Sequence, residues 1–190
     1  SMRMRLEMSE RARAEDTLRA IEAGTASAIG ADFFRALVRN LAAALHVRYA
    51  FVAECLGDDG SGRVKARSRG YWEHDDFGED FEYYIPGTPC NAVVNGQTCH
   101  YGDDLQALFP ADTWLVRVDA KSYLGIPIVG SSGEVIGHMA VLDTRPMTDA
   151  SVATSVMKLS AGRAAAELER LKAAEGQQRA LAEVEVLKNR

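Results

Sequence analysis

The chain has 190 residues, 47% apolar and 26% charged, with a formal net charge of −5. That is enough chain for one globular body with extensions, and its acidic balance argues against a nucleic-acid binder, which needs clustered Lys and Arg to meet phosphates. No window reaches the roughly 18 apolar residues of a membrane span and no signal-peptide pattern stands at the start, so a cytoplasmic protein away from membranes is expected, and the odd count of cysteines (Cys55, Cys90 and Cys99) fits reduced thiols there.

A first helix is predicted from about Arg5 to Ala23, with Leu18 and Ile21 at helical spacing and Gly24 as its stop. A second covers residues 31–47, where Phe34, Leu37, Leu41 and Leu45 keep one face apolar beside Phe33 and Val38. His46 lies near its end, where a cation is favoured. The β-branched and aromatic run at residues 47–56 reads as a strand, and GDDGSG (57–62) as a turn. Residues 63–72 form a second strand, expected near a sheet edge. EHDDFGED (73–80) reads as a surface loop, and FEYYIPG (81–87) as a short strand ending at Pro86.

In TPCNAVVNGQ, Thr88 is an N-cap candidate, Pro89 suits a first helical turn, and Gly96 stops the short helix. TCHYG gives a brief strand, and DDLQALF and ADTWLVRV two short helices separated by Pro110. A hairpin follows from Tyr123 to Asp143, turning at Ser131-Ser132-Gly133. From about Thr148 a long helix runs to the end, with one weak point at Gly176. Charge is nearly balanced at both ends, four basic against four acidic groups in residues 1–16 and six against five in 163–190, so the acid excess belongs to the centre. The expected division is a helical arm at 1–27, a globular body at 28–147, and a C-terminal helix at 148–190.

In the hairpin's first strand, Leu124, Ile126 and Ile128 share one face, and Tyr123, Gly125, Pro127 and Val129 the other. The first face suits a packed core. On the second, a glycine marks close approach by a neighbour or a ligand, and a proline marks a bulge or free edge. One sheet face should therefore pack on helices and the other floor a cavity, in an α+β (α/β sandwich) fold with a central antiparallel sheet.

The runs FFRALVRNLAAALHVRYAFVAE, IPGTPCNAVV and KSYLGIPIVGSSGEVIGHMAVLD together resemble GAF domains, over about Ala28 to Asp143. The resemblance implies a six-stranded or similar antiparallel sheet. It implies helices on one face, short helices and loops over a ligand pocket on the other, and long terminal helices. It further implies a regulatory sensory module that binds a small-molecule effector and signals to an output domain such as a kinase, cyclase or transcriptional activator. Tyr123, Gly125, Pro127 and His138 are the expected floor, and Cys90, Asn91, Val94, Asp103 and Trp114 the lid. Tyr71, Tyr83 and Tyr84 are further pocket candidates, each with an apolar body and a polar tip, and equally suited to the core.

No catalytic residue is assigned. One enzyme family with this fold, the free methionine-(R)-sulfoxide reductases, uses cysteines near Cys90, so a thiol-based reductase is the alternative from the enzyme class. Its further cysteines, upstream and before the hairpin, have no counterpart around Asp80 or in RVDAKS. Cys99-His100 precedes YGDD and stands about ten residues too early for the Cys-His pair that attaches a bilin in related domains. The cyclic-nucleotide pattern is not matched, since Lys121 follows Ala120 without an Asn and Phe109 lacks the acidic pair. His74, His100 and His138 lack metal-ligand spacing, and a lone strand histidine is better read as a hydrogen-bonded wall residue than as a haem ligand. The sequence requires no cofactor, and disfavours bilin and haem. In the tail, Leu168/Leu171 and Leu181/Val184 show half of a heptad pattern. A parallel coiled-coil homodimer through the terminal helices is expected, leading to a missing output domain. A ligand-free dimerisation spacer is the other alternative.

Overall fold

The structure is a computed structural model that describes residues 1–190. Helix α1 (Met2–Thr25) and helix α2 (Gly30–Leu45) come first. Strands β1 (Tyr49–Asp58), β2 (Val64–Glu73), β3 (Asp76–Phe77) and β4 (Glu82–Tyr84) follow. Next are helix α3 (Cys90–Val94), strand β5 (Cys99–Tyr101) and helices α4 (Leu105–Leu108) and α5 (Thr113–Arg117). The hairpin β6 (Ser122–Val129) and β7 (Val135–Asp143) leads into helix α6 (Ser151–Lys188). The sheet has seven strands in the order β3-β2-β1-β7-β6-β5, with β4 also paired to β2, and every pairing is antiparallel.

Alternation along the strands sorts side chains into two layers. Ala50 and Val52 of β1, Leu124, Ile126 and Ile128 of β6, and Met139 and Val141 of β7 meet α1, α2 and α6 in one buried cluster. Helix α2 supplies Phe33, Phe34, Leu37, Val38 and Leu41, the apolar face that its spacing predicts. Tyr49, Phe51, Ala53, Tyr71, Tyr123, Ala140 and Leu142 point the other way, beneath α3, α4, α5 and their loops. The helix-side cluster holds 22 buried residues and the second 15, so the sheet is sealed on the helix side and thinly covered on the other.

Several elements depart from the sequence reading. Helix α1 ends at Thr25, one residue past Gly24, whose missing side chain leaves room for the Asn40 amide of α2. Helix α6 continues past Gly176: one glycine costs a helix only about 1 kcal/mol, too little to break it. Segment 73–80 contains β3, whose Phe77 packs edge-on against Trp72 at 5.0 Å beneath the Arg35 guanidinium. Strand β2 is internal, and β3 and β4 cover the two ends of its outer edge.

Helix α6 is tied to the body by three glutamates. Glu167 accepts from the Gly30 backbone N–H at 3.2 Å. Glu169 accepts from the backbone N–H and hydroxyl of Ser131, at the hairpin tip. Glu175 accepts from Arg69 of β2 at 3.0 Å. Residues from Gln177 onward are exposed.

Candidate functional site

A cavity of about 830 Å³ lies on the thinly covered face. Its base is Phe51 of β1, Tyr71 of β2, Tyr123 of β6 and Leu142 of β7. Residues 77–79, the β4 segment through Cys90, and residues 111–117 form its sides. Two rings of the base and two of the sides make one aromatic wall. Phe81 and Trp114 face each other at 28° with centroids 6.3 Å apart. Phe51 and Tyr71 stand edge-on to both, at 5.2 to 6.5 Å. Edge-on packing satisfies the ring quadrupoles and holds the wall's form.

The structure divides the nine expected site residues. Tyr123, Cys90 and Trp114 line the cavity, as do Tyr71, Tyr83 and Tyr84. Gly125 does not, because Val93 of α3 and the Tyr123 ring fill the space beside it. A Cβ there would lie 2.5 Å from Tyr123 Oη and 2.7 Å from Val93 Cγ2. Pro127 lies where β6 has run past the short β5, which pairs only with Tyr123–Gly125, so the missing N–H falls beyond that pairing. It borders a separate surface hollow of about 280 Å³ beside α6. Asn91 and Asp103 are exposed, Asp103 Oδ1 accepting from the Asp104 N–H, and Val94 is half-buried. None of these three reaches the cavity.

His138 is fully buried below the cavity base, edge-on to Phe51 at 5.5 Å. Its Nε2 is hydrogen-bonded to the Tyr83 hydroxyl at 2.7 Å, and its Nδ1 has no partner. Burial pushes its pKa down to about 4, so it is a neutral wall residue. No three His, Cys, Asp or Glu side chains converge to hold a metal ion.

The Cys90 thiol accepts a hydrogen bond from the Tyr123 hydroxyl at 3.2 Å, and burial pushes its pKa up to about 11. The thiolate is the nucleophilic form, so this sulfur is poorly placed for reductase chemistry at neutral pH. Iodoacetamide at pH 8 is expected to label Cys90 at least ~100-fold more slowly in the folded chain than in urea. Mass spectrometry of tryptic peptides reads this directly, and rapid labelling of the folded chain would restore thiol chemistry.

Sequence reasoning did not single out Phe51, Phe81, Glu73, Asp112 or Leu142, all of which line the cavity. Phe51 alternates in register with Tyr49 and Ala53 on the same face, a pattern that was available. The others come from segments that only the folded sheet brings together.

On the opposite face, Glu54 of β1 is buried and accepts from Arg67 Nε at 2.9 Å and Arg69 Nη2 at 2.7 Å. Arg69 is the extra residue of a β-bulge, between the pairs Val52–Gly70 and Ala53–Ser68. An ordinary strand puts residues 69 and 71 on one face. The bulge re-aims Arg69 toward α6 while Tyr71 looks into the cavity.

Comparison with known proteins places this architecture. A family described as GAF domain matches residues 31–168, ending at Leu168, the last buried side chain of α6. No curated protein matches the chain. Among solved structures, the GAF domain of nlh2 from A. aeolicus, in an inactive state, shares 13% identity at a TM-score of 0.62, over 84% of this chain and 98% of that one. The GAF domain of a phosphoenolpyruvate-protein phosphotransferase from Coxiella burnetii shares 17% identity at 0.64, over 86% and 97%. The bacteriophytochrome RpBphP3 from R. palustris shares 12% identity at 0.62, over 84% of this chain and 37% of that one. These likenesses establish the shared fold, and with the family match over most of its length the chain belongs to the GAF domain family.

Proposed function

We propose that this chain is a cytoplasmic regulatory sensory module, in which a small effector in the 830 Å³ cavity biases the position of α6 within a homodimer. The observation that carries this reading is the two-sided role of β2. Tyr71 lines the cavity, and Arg69, re-aimed by the bulge, grips Glu175 of α6 with two contacts of 2.7 and 3.0 Å. A ligand that displaces the β2–β4 wall therefore acts on the strand that anchors the helix. Signalling requires that the ligand bind one helix arrangement more tightly than the other.

The dimer reading rests on unpartnered apolar side chains. Leu181, Val184 and Leu187 of α6 are 67%, 48% and 67% exposed at three-residue spacing. Met2, Met4, Leu6 and Met8 of α1 are exposed as well. A parallel pairing of these helices would bury the α6 stripe and one face of the α1 set, and pass a change at Glu175 on to an attached kinase, cyclase or transcriptional activator.

Thermal-shift screening with nucleotides, amino acids, amines and aromatic acids tests the effector half. A ligand at 100 times its Kd adds about 2.7 kcal/mol, or roughly 5–10 °C for a chain this size. Light scattering tests the other half, with a dimer expected for the wild type and a monomer for Leu181→Glu combined with Leu187→Glu. A wild-type monomer whose melting temperature no compound raises would remove the proposal.

A further inference from the structure

We infer that the cavity takes a small organic cation of the ammonium or guanidinium type. This rests on the effector-site reading and narrows it. The first observation is charge. The lining includes the carboxylates of Glu73, Glu79, Glu82 and Asp112 against the guanidinium groups of Arg63 and Arg117. Of the four acids, only Glu82 has a salt-bridge partner, Lys65 at 2.9 Å. Both arginines are exposed, and the Arg63 guanidinium already lies over the Tyr84 ring at 4.0 Å. Glu73 and Glu79 are exposed like the arginines and screened to the same degree, so the lining keeps an acid excess of four to two, in which the half-buried Asp112 is the least screened.

The second observation is the wall of four rings. A cation held against aromatic faces is attracted by their negative quadrupole, by up to about 2 kcal/mol when water is excluded. Phe81 and Trp114 are both half-buried and line the cavity, so part of each ring is open to a guest. The third observation concerns a hydroxyl. Tyr71 is only 5% exposed and lines the cavity, and its hydroxyl lies beside the Glu73 carboxylate without a close hydrogen bond to it. A buried polar atom without a partner is costly, and an N–H from the guest would satisfy it. An anion would meet this acid excess and be repelled, and a neutral ring would gain nothing from it.

Calorimetry on the full chain distinguishes these cases with four probes: choline, its neutral isostere 3,3-dimethylbutan-1-ol, agmatine, and 2-oxoglutarate as an anion. Choline is expected to bind at least tenfold more tightly than its isostere, and 2-oxoglutarate not to bind. Glu73→Gln, an exposed change that leaves the fold intact, is expected to weaken both cations by roughly threefold or more. Trp114→Ala is expected to weaken them about tenfold. Tyr71→Phe is expected to weaken agmatine, whose N–H groups can donate to the tyrosine hydroxyl. Equal binding of choline and its isostere, or binding of the anion alone, overturns the cation assignment and leaves the effector site standing. Binding by no probe, with none found in the wider screen, overturns both.

Discussion

Glu54→Gln lowers the stability of the chain by about 3 kcal/mol, while Glu175→Gln, at the other end of the same network, costs less than about 1 kcal/mol. The difference follows from burial. Glu54 is 1% exposed and holds both guanidinium groups, Arg67 through Nε at 2.9 Å and through Nη2, and Arg69 at 2.7 Å. Removing one partner of a buried ion pair leaves the other charge desolvated and unpaired, which costs roughly 3–5 kcal/mol. The lower end applies here because Arg69 keeps Glu175 as a partner and the Arg67 side chain is 37% exposed, so water screens part of the loss. Glutamine keeps the size of the side chain, so no cavity term enters. Glu175 is more open and its charge is replaceable by solvent. Urea unfolding of the two variants beside the wild type reads the contrast. Equal, small losses would mean that the network only positions α6 and adds no net stability. The same measurement bears on signalling, since Glu54 fixes the Arg69 side chain that reaches α6.

The sequence made the layering legible and left most of the site illegible. Alternation along residues 123–129 separates Leu124, Ile126 and Ile128 from Tyr123 and Gly125, and the sheet places the two sets on opposite faces. The same alternation cannot say what occupies the space that a glycine frees. At Gly125 the occupant is Val93, 32 residues earlier in the chain, and the hollow forms instead over Phe51, Tyr71 and Leu142. Pro127 and His138 are unusual residues for a strand, yet each has a local cause: the end of the β5 pairing for one, a tyrosine hydroxyl for the other. Unusual chemistry in a strand therefore marks constraint, and only three-dimensional neighbours decide whether protein or ligand imposes it. Glu54 stands in VRYAFVAECL as a lone carboxylate in an apolar strand. That was a signal for a buried partner, but its arginines could not be chosen without the bulge at Arg69.

His138 makes the fold lose about 2 kcal/mol of stability between pH 7.5 and 4.5, over and above the change shown by His138→Gln. In the unfolded chain the imidazole titrates near its ordinary pKa of about 6.5. In the fold, burial alone pushes this down to about 4. Between those values the unfolded state binds a proton that the native state refuses, so stability rises with pH across that window. The contribution is fully present above about pH 6.5 and is lost as pH falls toward about 4, where the native histidine itself takes up the proton. Nδ1 has no partner and Nε2 meets only the Tyr83 hydroxyl, at 2.7 Å. The resulting imidazolium would sit edge-on to Phe51 with no carboxylate to meet it. Urea midpoints at four pH values for both proteins give the two slopes. Glutamine at 138 is expected to lower stability at pH 7.5 and to flatten the acid limb, because it has no proton to gain. Parallel slopes would place the imidazole in contact with water, and the neutral wall beneath the cavity would then have to be open to solvent from the side of β4.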